Sequence, residues 1–184
     1  MSDSSQIIVD IEVTLQQATG FAERVRDWLI SEGIIEHERS DSVFGGEGHR
    51  PGKNYGLASE PDADFLTLRT NGVEVEVGRR VFHAGQNGLQ LRCDACGQDF
   101  DLRPPLNTPS FNAVGIWFGG DDTVSFSCPQ CGQHKPLTEW RGPWQWGFGN
   151  LGFRFWNWPP LSAAFVQSVS RELGYRTVVV RHHL

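Results

Sequence analysis

The chain has 184 residues, 39% of them hydrophobic, four cysteines and a net charge of −6, enough for one core of ordinary domain size. The negative balance counts against nucleic acid as the main partner. The opening MSDSSQIIVD lacks the basic and apolar segments of an export signal and no run of eighteen apolar residues follows, so a soluble, cytoplasmic protein with no membrane partner is expected.

Charge is unevenly spread. Residues 1–76 carry fifteen acids and six bases, whereas residues 140–184 carry one acid, Glu172, and five arginines. Mutual attraction of the two ends in the fold and a basic patch for an anionic partner both account for this.

In QIIVDIEVTL, Val9, Ile11, Val13 and Leu15 alternate with Asp10, Glu12 and Thr14, which predicts a half-buried strand. A helix follows, with Thr19 as N-cap and Phe21, Val25, Trp28 and Leu29 on one face, and Gly33 ends it. Ile34 and Ile35 begin a short strand. Residues 41–64, rich in Gly and Pro, read as one long loop. Within it, His49, Arg50 and Lys53 are a candidate anion site, although a Walker A motif fails at Glu47 and Asn54. FLTLRTNGVEVEV reads as a hairpin turning at Asn71-Gly72, its second strand burying Val73, Val75 and Val77 and exposing Glu74 and Glu76. RVFHAGQNGLQLRC reads as another, turning at Asn87-Gly88 and running into Cys93, and AVGIWFGGDDTVSFSC as a third, running into Cys128. At the far end GFRFWNW is a strand, Pro159 and Pro160 stop it, and Ser162 caps a helix with Phe165, Val169 and Leu173 on one face. Gly174 ends that helix before the strand YRTVVVRHHL.

The four cysteines lie in CDACG and CPQCG. Structural disulfides would need an oxidising compartment. A thioredoxin-type motif would use one CxxC opening a helix, and here there are two, neither followed by a helical pattern. One tetrahedral metal site made by Cys93, Cys96, Cys128 and Cys131 explains more. Gly97 and Gly132, each directly after a pair, permit the positive φ that bends the backbone round toward the sulfurs.

Cys93-x-x-Cys96-Gly97 and Cys128-Pro129-x-Cys131-Gly132 resemble the knuckles of zinc ribbons and rubredoxins. The resemblance covers residues 89–140, and only the knuckles carry it. It implies a bound zinc ion, with iron and electron transfer as the rubredoxin-like alternative. Between the knuckles the chain does not look like rubredoxin, which favours zinc.

The expected fold is therefore α+β: a mixed sheet with two helices, its terminal strand–helix–strand units arranged as in ferredoxin-like folds, with an inserted zinc ribbon. The expected divisions are an N-terminal part at 1–88, the ribbon at 89–140, and a C-terminal unit at 141–184 completing the first. His134, three residues after Cys131, is either a donor to the metal site or a solvated turn residue. The stretch 140–158 holds five tryptophans and three phenylalanines. Core packing is one reading of it. The other is a partner surface, in which Trp140, Trp144 and Trp146 include at least one exposed ring while Phe153 and Phe155 are buried. No catalytic motif is evident, so the leading function is a zinc-stapled, non-enzymatic adaptor with a protein partner. The alternatives are a rubredoxin-like iron protein and an enzyme using the 41–64 loop.

Overall fold

Ile7, Ile8 and Val9 form an unbroken apolar run, and all three are fully buried in β1 (Ser4–Asp10). A strand is covered on both faces where something packs on each side of its sheet, and the computed structural model, which describes residues 3–88, 90–101 and 109–184, shows such cover at β1. Beyond β1 the strands of the large sheet are β2 (Ile35–Val43), β3 (Gly46–Pro51), β4 (Val73–Phe82), β9 (Gly147–Trp156) and β10 (Thr177–His183). Their order is β10-β1-β9-β4-β3-β2, and neighbouring strands pair antiparallel. Helices α1 (Leu15–Ser31) and α4 (Ala163–Leu173) pack with Ile8, Val73, Leu151, Phe153 and Phe155 into the main core. Ile7, Val9, Phe82 and Val180 form a second cluster on the opposite face. The fold is α+β. The strand order β10-β1-β9-β4 is that of a split β-α-β pair, but β4 takes the place expected for the strand after α1; that strand, β2, lies at the far edge, where the β2–β3 hairpin extends the β4 edge.

The ends of the terminal helices follow local chemistry. Ser162 Oγ accepts from the Phe165 N–H, and Gly174 closes α4 at φ 77°. At α1 the cap is Thr14 and not Thr19: the Thr14 N–H and hydroxyl both donate to the Gln17 carboxamide. Asp10, placed outward by the alternating pattern, is instead fully buried, and its Oδ1 accepts from the N–H groups of Glu12 and Val13. Burial pushes its carboxyl above the usual range against those two bonds.

Three other expectations are corrected. Residues 41–64 are not one loop, because β2 and β3 form a hairpin through Gly45, at φ 74°. That hairpin has no apolar alternation to read, because β2 is a charged and largely exposed edge. FLTLRTNG is not a hairpin arm: Asp62 caps a short helix, α2 (Ala63–Leu66), by accepting from the Asp64 and Phe65 N–H groups. Asn71 is a buried tie instead of a turn residue, its amide donating to the Phe65 and Leu66 carbonyls while its own carbonyl accepts from Trp158 Nε1. Gly72 follows because a Cβ there would lie 2.3 Å from Ser42 Oγ. On β4, Val73 is buried as expected, but Val77 is 41% exposed and Glu76 only 7%. Glu76 is inside because Arg154 on β9 pairs with it at 2.5 Å.

The third correction concerns the insert. β4 pairs with β9, Phe82 opposite Gly147, so residues 83–146 are a loop projecting from one end of that pair. Leu89 and residues 102–108 of the expected ribbon lie outside the described residues. β5 (Gln90–Arg92) pairs with β6 (Asp99–Asp101), not with β4, and β7 (Ser125–Ser127) pairs with β8 (His134–Pro136). AVGIWF lies in a helix, α3 (Pro109–Phe118), not a hairpin. Its buried residues Ser110, Ala113 and Trp117 are three and four apart, a helical stripe that a nearly continuous apolar run conceals. Among the described residues no helix is long and apolar enough to cross a membrane.

Candidate metal centre

Each CxxC sits at the tip of one short hairpin. In the β5–β6 hairpin the Gly97 N–H donates to the Cys93 carbonyl at 2.8 Å and the Cys93 N–H to the Gln98 carbonyl at 2.9 Å. In the β7–β8 hairpin Gly132 donates to Cys128 at 3.0 Å and Cys128 to Gln133 at 2.8 Å. The two turns thus repeat one bonding pattern, closed by glycines at φ 73° and 77°. A Cβ at either glycine would meet nothing within 4 Å, so the backbone conformation, not space, selects glycine there.

The hairpins bring the four sulfurs within 4.8 Å of one another. Cys93 Sγ lies 3.6 Å from Cys131 Sγ, and Cys96 Sγ lies 3.8 Å from Cys128 Sγ. An ion about 2.3 Å from each of four tetrahedral thiolates sets them about 3.8 Å apart, whereas a disulfide needs about 2 Å. All four cysteines are free. Cys93 and Cys128, the first of each pair, are buried, and Cys96 and Cys131 are exposed. The arrangement fits a tetrathiolate metal site.

Electrostatics point the same way. Burial opposes ionisation of Cys128, but N–H groups of Cys131 and Gln130, with the Cys93 and Cys131 thiols, outweigh it and bring the thiol down to about 7. At Cys96 the Gln98 N–H favours the thiolate, yet burial and the three neighbouring sulfurs together push the thiol up to about 12. One thiolate forms readily and further ones are resisted. A cation at the centre removes that resistance.

Trp140 underlies the site. It is 1% exposed and stacks on Phe126 of β7 at 4.6 Å, with Phe100 of β6 edge-on at 5.4 Å. Lys135 on β8 sits 4.7 Å over its ring and reaches across to Asp94 in the first knuckle, 2.6 Å away. This bridge between knuckles was not foreseen, since Asp94 and Lys135 are ordinary charges in the sequence and only the fold joins them. His134 does not contact the thiols: its ring nitrogens are engaged by Ser125 Oγ at 2.8 Å and Ser127 Oγ at 3.0 Å. The insert is pinned to the sheet through Arg79 on β4, which lies 3.8 Å over Trp117 and donates to the Trp117 carbonyl and to Asp122. Trp117 meets Phe148 of β9 edge-on at 5.2 Å.

The other predicted residues are placed as follows. Trp146 is 7% exposed and Trp144 40%, so of Trp140, Trp144 and Trp146 only Trp144 presents a ring to solvent. Phe153 and Phe155 are fully buried. His49 and Arg50 are consecutive on β3, hence on opposite faces. His49 is buried with Nδ1 2.9 Å from the Glu36 carbonyl, and Arg50 donates to Asn71, so these two do not converge on a common anion; Lys53 follows in the exposed turn. No protein family, curated protein or solved structure matches the chain, so the site is read from its geometry.

Proposed function

We propose that the chain is a non-enzymatic interaction protein in which Cys93, Cys96, Cys128 and Cys131 hold one structural zinc ion. The observation that carries this is the pair of matching knuckles converging four sulfurs at tetrahedral spacing. Zinc with four thiolate ligands has no open position for a substrate, and its binding free energy becomes folding free energy, on the order of 10 kcal/mol. The hairpins it joins have three-residue strands, too short to be stable alone. Four reduced thiols suit a reducing compartment, in keeping with a cytoplasmic protein. The net charge of −6 favours a protein partner over nucleic acid, and exposed Trp144 marks the surface that meets it.

Elemental analysis of protein purified without added metal tests the centre. One zinc per chain in a colourless protein is expected. Iron at equal stoichiometry in a red protein would establish the rubredoxin-like alternative, and two disulfides would remove the metal altogether.

A further inference from the structure

β10 is an edge strand of the large sheet, paired on one side to β1. Its far end is covered: the His183 N–H donates to the Ala84 carbonyl, and the His183 carbonyl accepts from the Gln86 N–H. In an antiparallel strand, residues alternate between bonding the partner and pointing their backbone groups away from it. Since His183 points away from β1, so do Arg181 and Val179. Among the described residues nothing pairs with the backbone at those two positions. Edges left open in this way are templates for another strand.

Beside this open edge runs a groove of about 640 Å³ between α4, β10 and the chain entering β9. Trp144, Leu161, Val166 and Val179 give it apolar walls, and Arg181 and Gln167 line it as well. Trp144 is exposed here, although the other rings of its segment are buried. Four of the five arginines in residues 140–184 are engaged: Arg154 by Glu76, Arg176 by Glu12, Arg171 by Ser168, and Arg141 by the Thr138 and Trp140 carbonyls. Arg181 is exposed and has no partner among the described residues.

We propose that this edge and groove bind an extended segment of a partner protein whose side chains at alternate positions, sharing one face, are apolar apart from one carboxylate. The segment adds as a strand beside β10 through Val179 and Arg181. Its apolar side chains enter the Trp144 groove, and a carboxylate meets the Arg181 guanidinium. This mode takes its affinity from main-chain bonds and its specificity from pockets for alternate side chains. A second copy of the chain is a poorer match: its β10, TVVVRHH, would bring another arginine, two histidines and no carboxylate to the edge. The proposal names the partner chemistry of the interaction reading and rests on it.

The test is selection of random dodecapeptides displayed on phage against the full chain. The most enriched sequence is then synthesised and titrated by fluorescence polarisation. Expected are peptides with apolar residues and one acidic residue at alternate positions, at least tenfold weaker binding to Arg181→Glu and to Trp144→Ala, and new exchange protection of the Val179 and Arg181 amides in the complex. Peptides that bind Arg181→Glu unchanged, or that protect the knuckle hairpins instead, would remove this site while leaving an interaction protein. Self-association abolished by Val179→Pro would assign the edge to a second copy and overturn the proposal. No enrichment at all would count against both the site and the interaction reading. The zinc centre is judged separately by elemental analysis.

Discussion

His83 shows how one side chain can tie stability to pH. It leaves β4 toward the insert, with its ring 6.1 Å from Trp146 and 5.6 Å from His182 of β10. Its Nδ1 accepts the Gly85 N–H at 3.0 Å, and His182 donates from Nδ1 to the His83 carbonyl at 2.9 Å. Burial first, then the neighbouring His182 and Arg154, lower the His83 pKa. Burial also lowers those of His182 and His49. A histidine whose folded pKa lies below its ordinary value, about 6.5, leaves the unfolded chain binding more protons between the two values. Stability is then full above about pH 6.5 and falls as pH drops through that window toward the folded pKa. The melting temperature is expected to be flat from pH 8 to 7 and to fall as pH drops below about 6.5. His83→Asn keeps an acceptor for Gly85 without a titrating ring and should flatten that fall. Identical slopes in the two proteins would show that His83 does not set it.

Among the elements, α3 joins the insert to the sheet. Arg79 packs flat on Trp117 and binds the helix's C-terminal end through the Trp117 carbonyl and Asp122. A partly desolvated cation–π contact is worth about 1–2 kcal/mol, and a bond from a charged donor adds about as much. Arg79→Met keeps most of the apolar stem and removes both. It should cost about 2–4 kcal/mol and speed amide exchange in α3 without changing the metal content, while unchanged exchange there would deny the strut its role. None of this was visible in the sequence, where Arg79 and Asp122 are two charges far apart. α4 was legible because its apolar residues recur every four positions between a Ser cap and a Gly stop. α3 was not: a mostly apolar run has no clear period, and GGDD after it imitates a hairpin turn. The β2–β3 hairpin was hidden for the opposite reason, since an exposed edge needs no alternation.

At the scale of the whole molecule, the terminal strand–helix–strand units were readable and so was the four-cysteine cluster, because each depends on local spacing. The partnership of β4 with β9 was not, because it spans the entire insert. That pairing sets Phe82 against Gly147, and it has a kinetic side. To form it, the chain must first bring together the two ends of a loop of roughly sixty residues, and the search costs entropy that rises by about 0.6 kcal/mol per doubling of length. Zinc joining Cys93 and Cys96 to Cys128 and Cys131 would cut the free length to about half before the strands meet. The shortcut is worth about 0.6 kcal/mol in the barrier, or roughly a threefold rate. Refolding followed by stopped flow should therefore be about three times faster with stoichiometric zinc than with chelator, and equal rates would mean that the insert closes only after the sheet has formed. A metal bound within the insert would in this way act as an early guide for the large sheet, bringing β4 and β9 within reach before either has a partner.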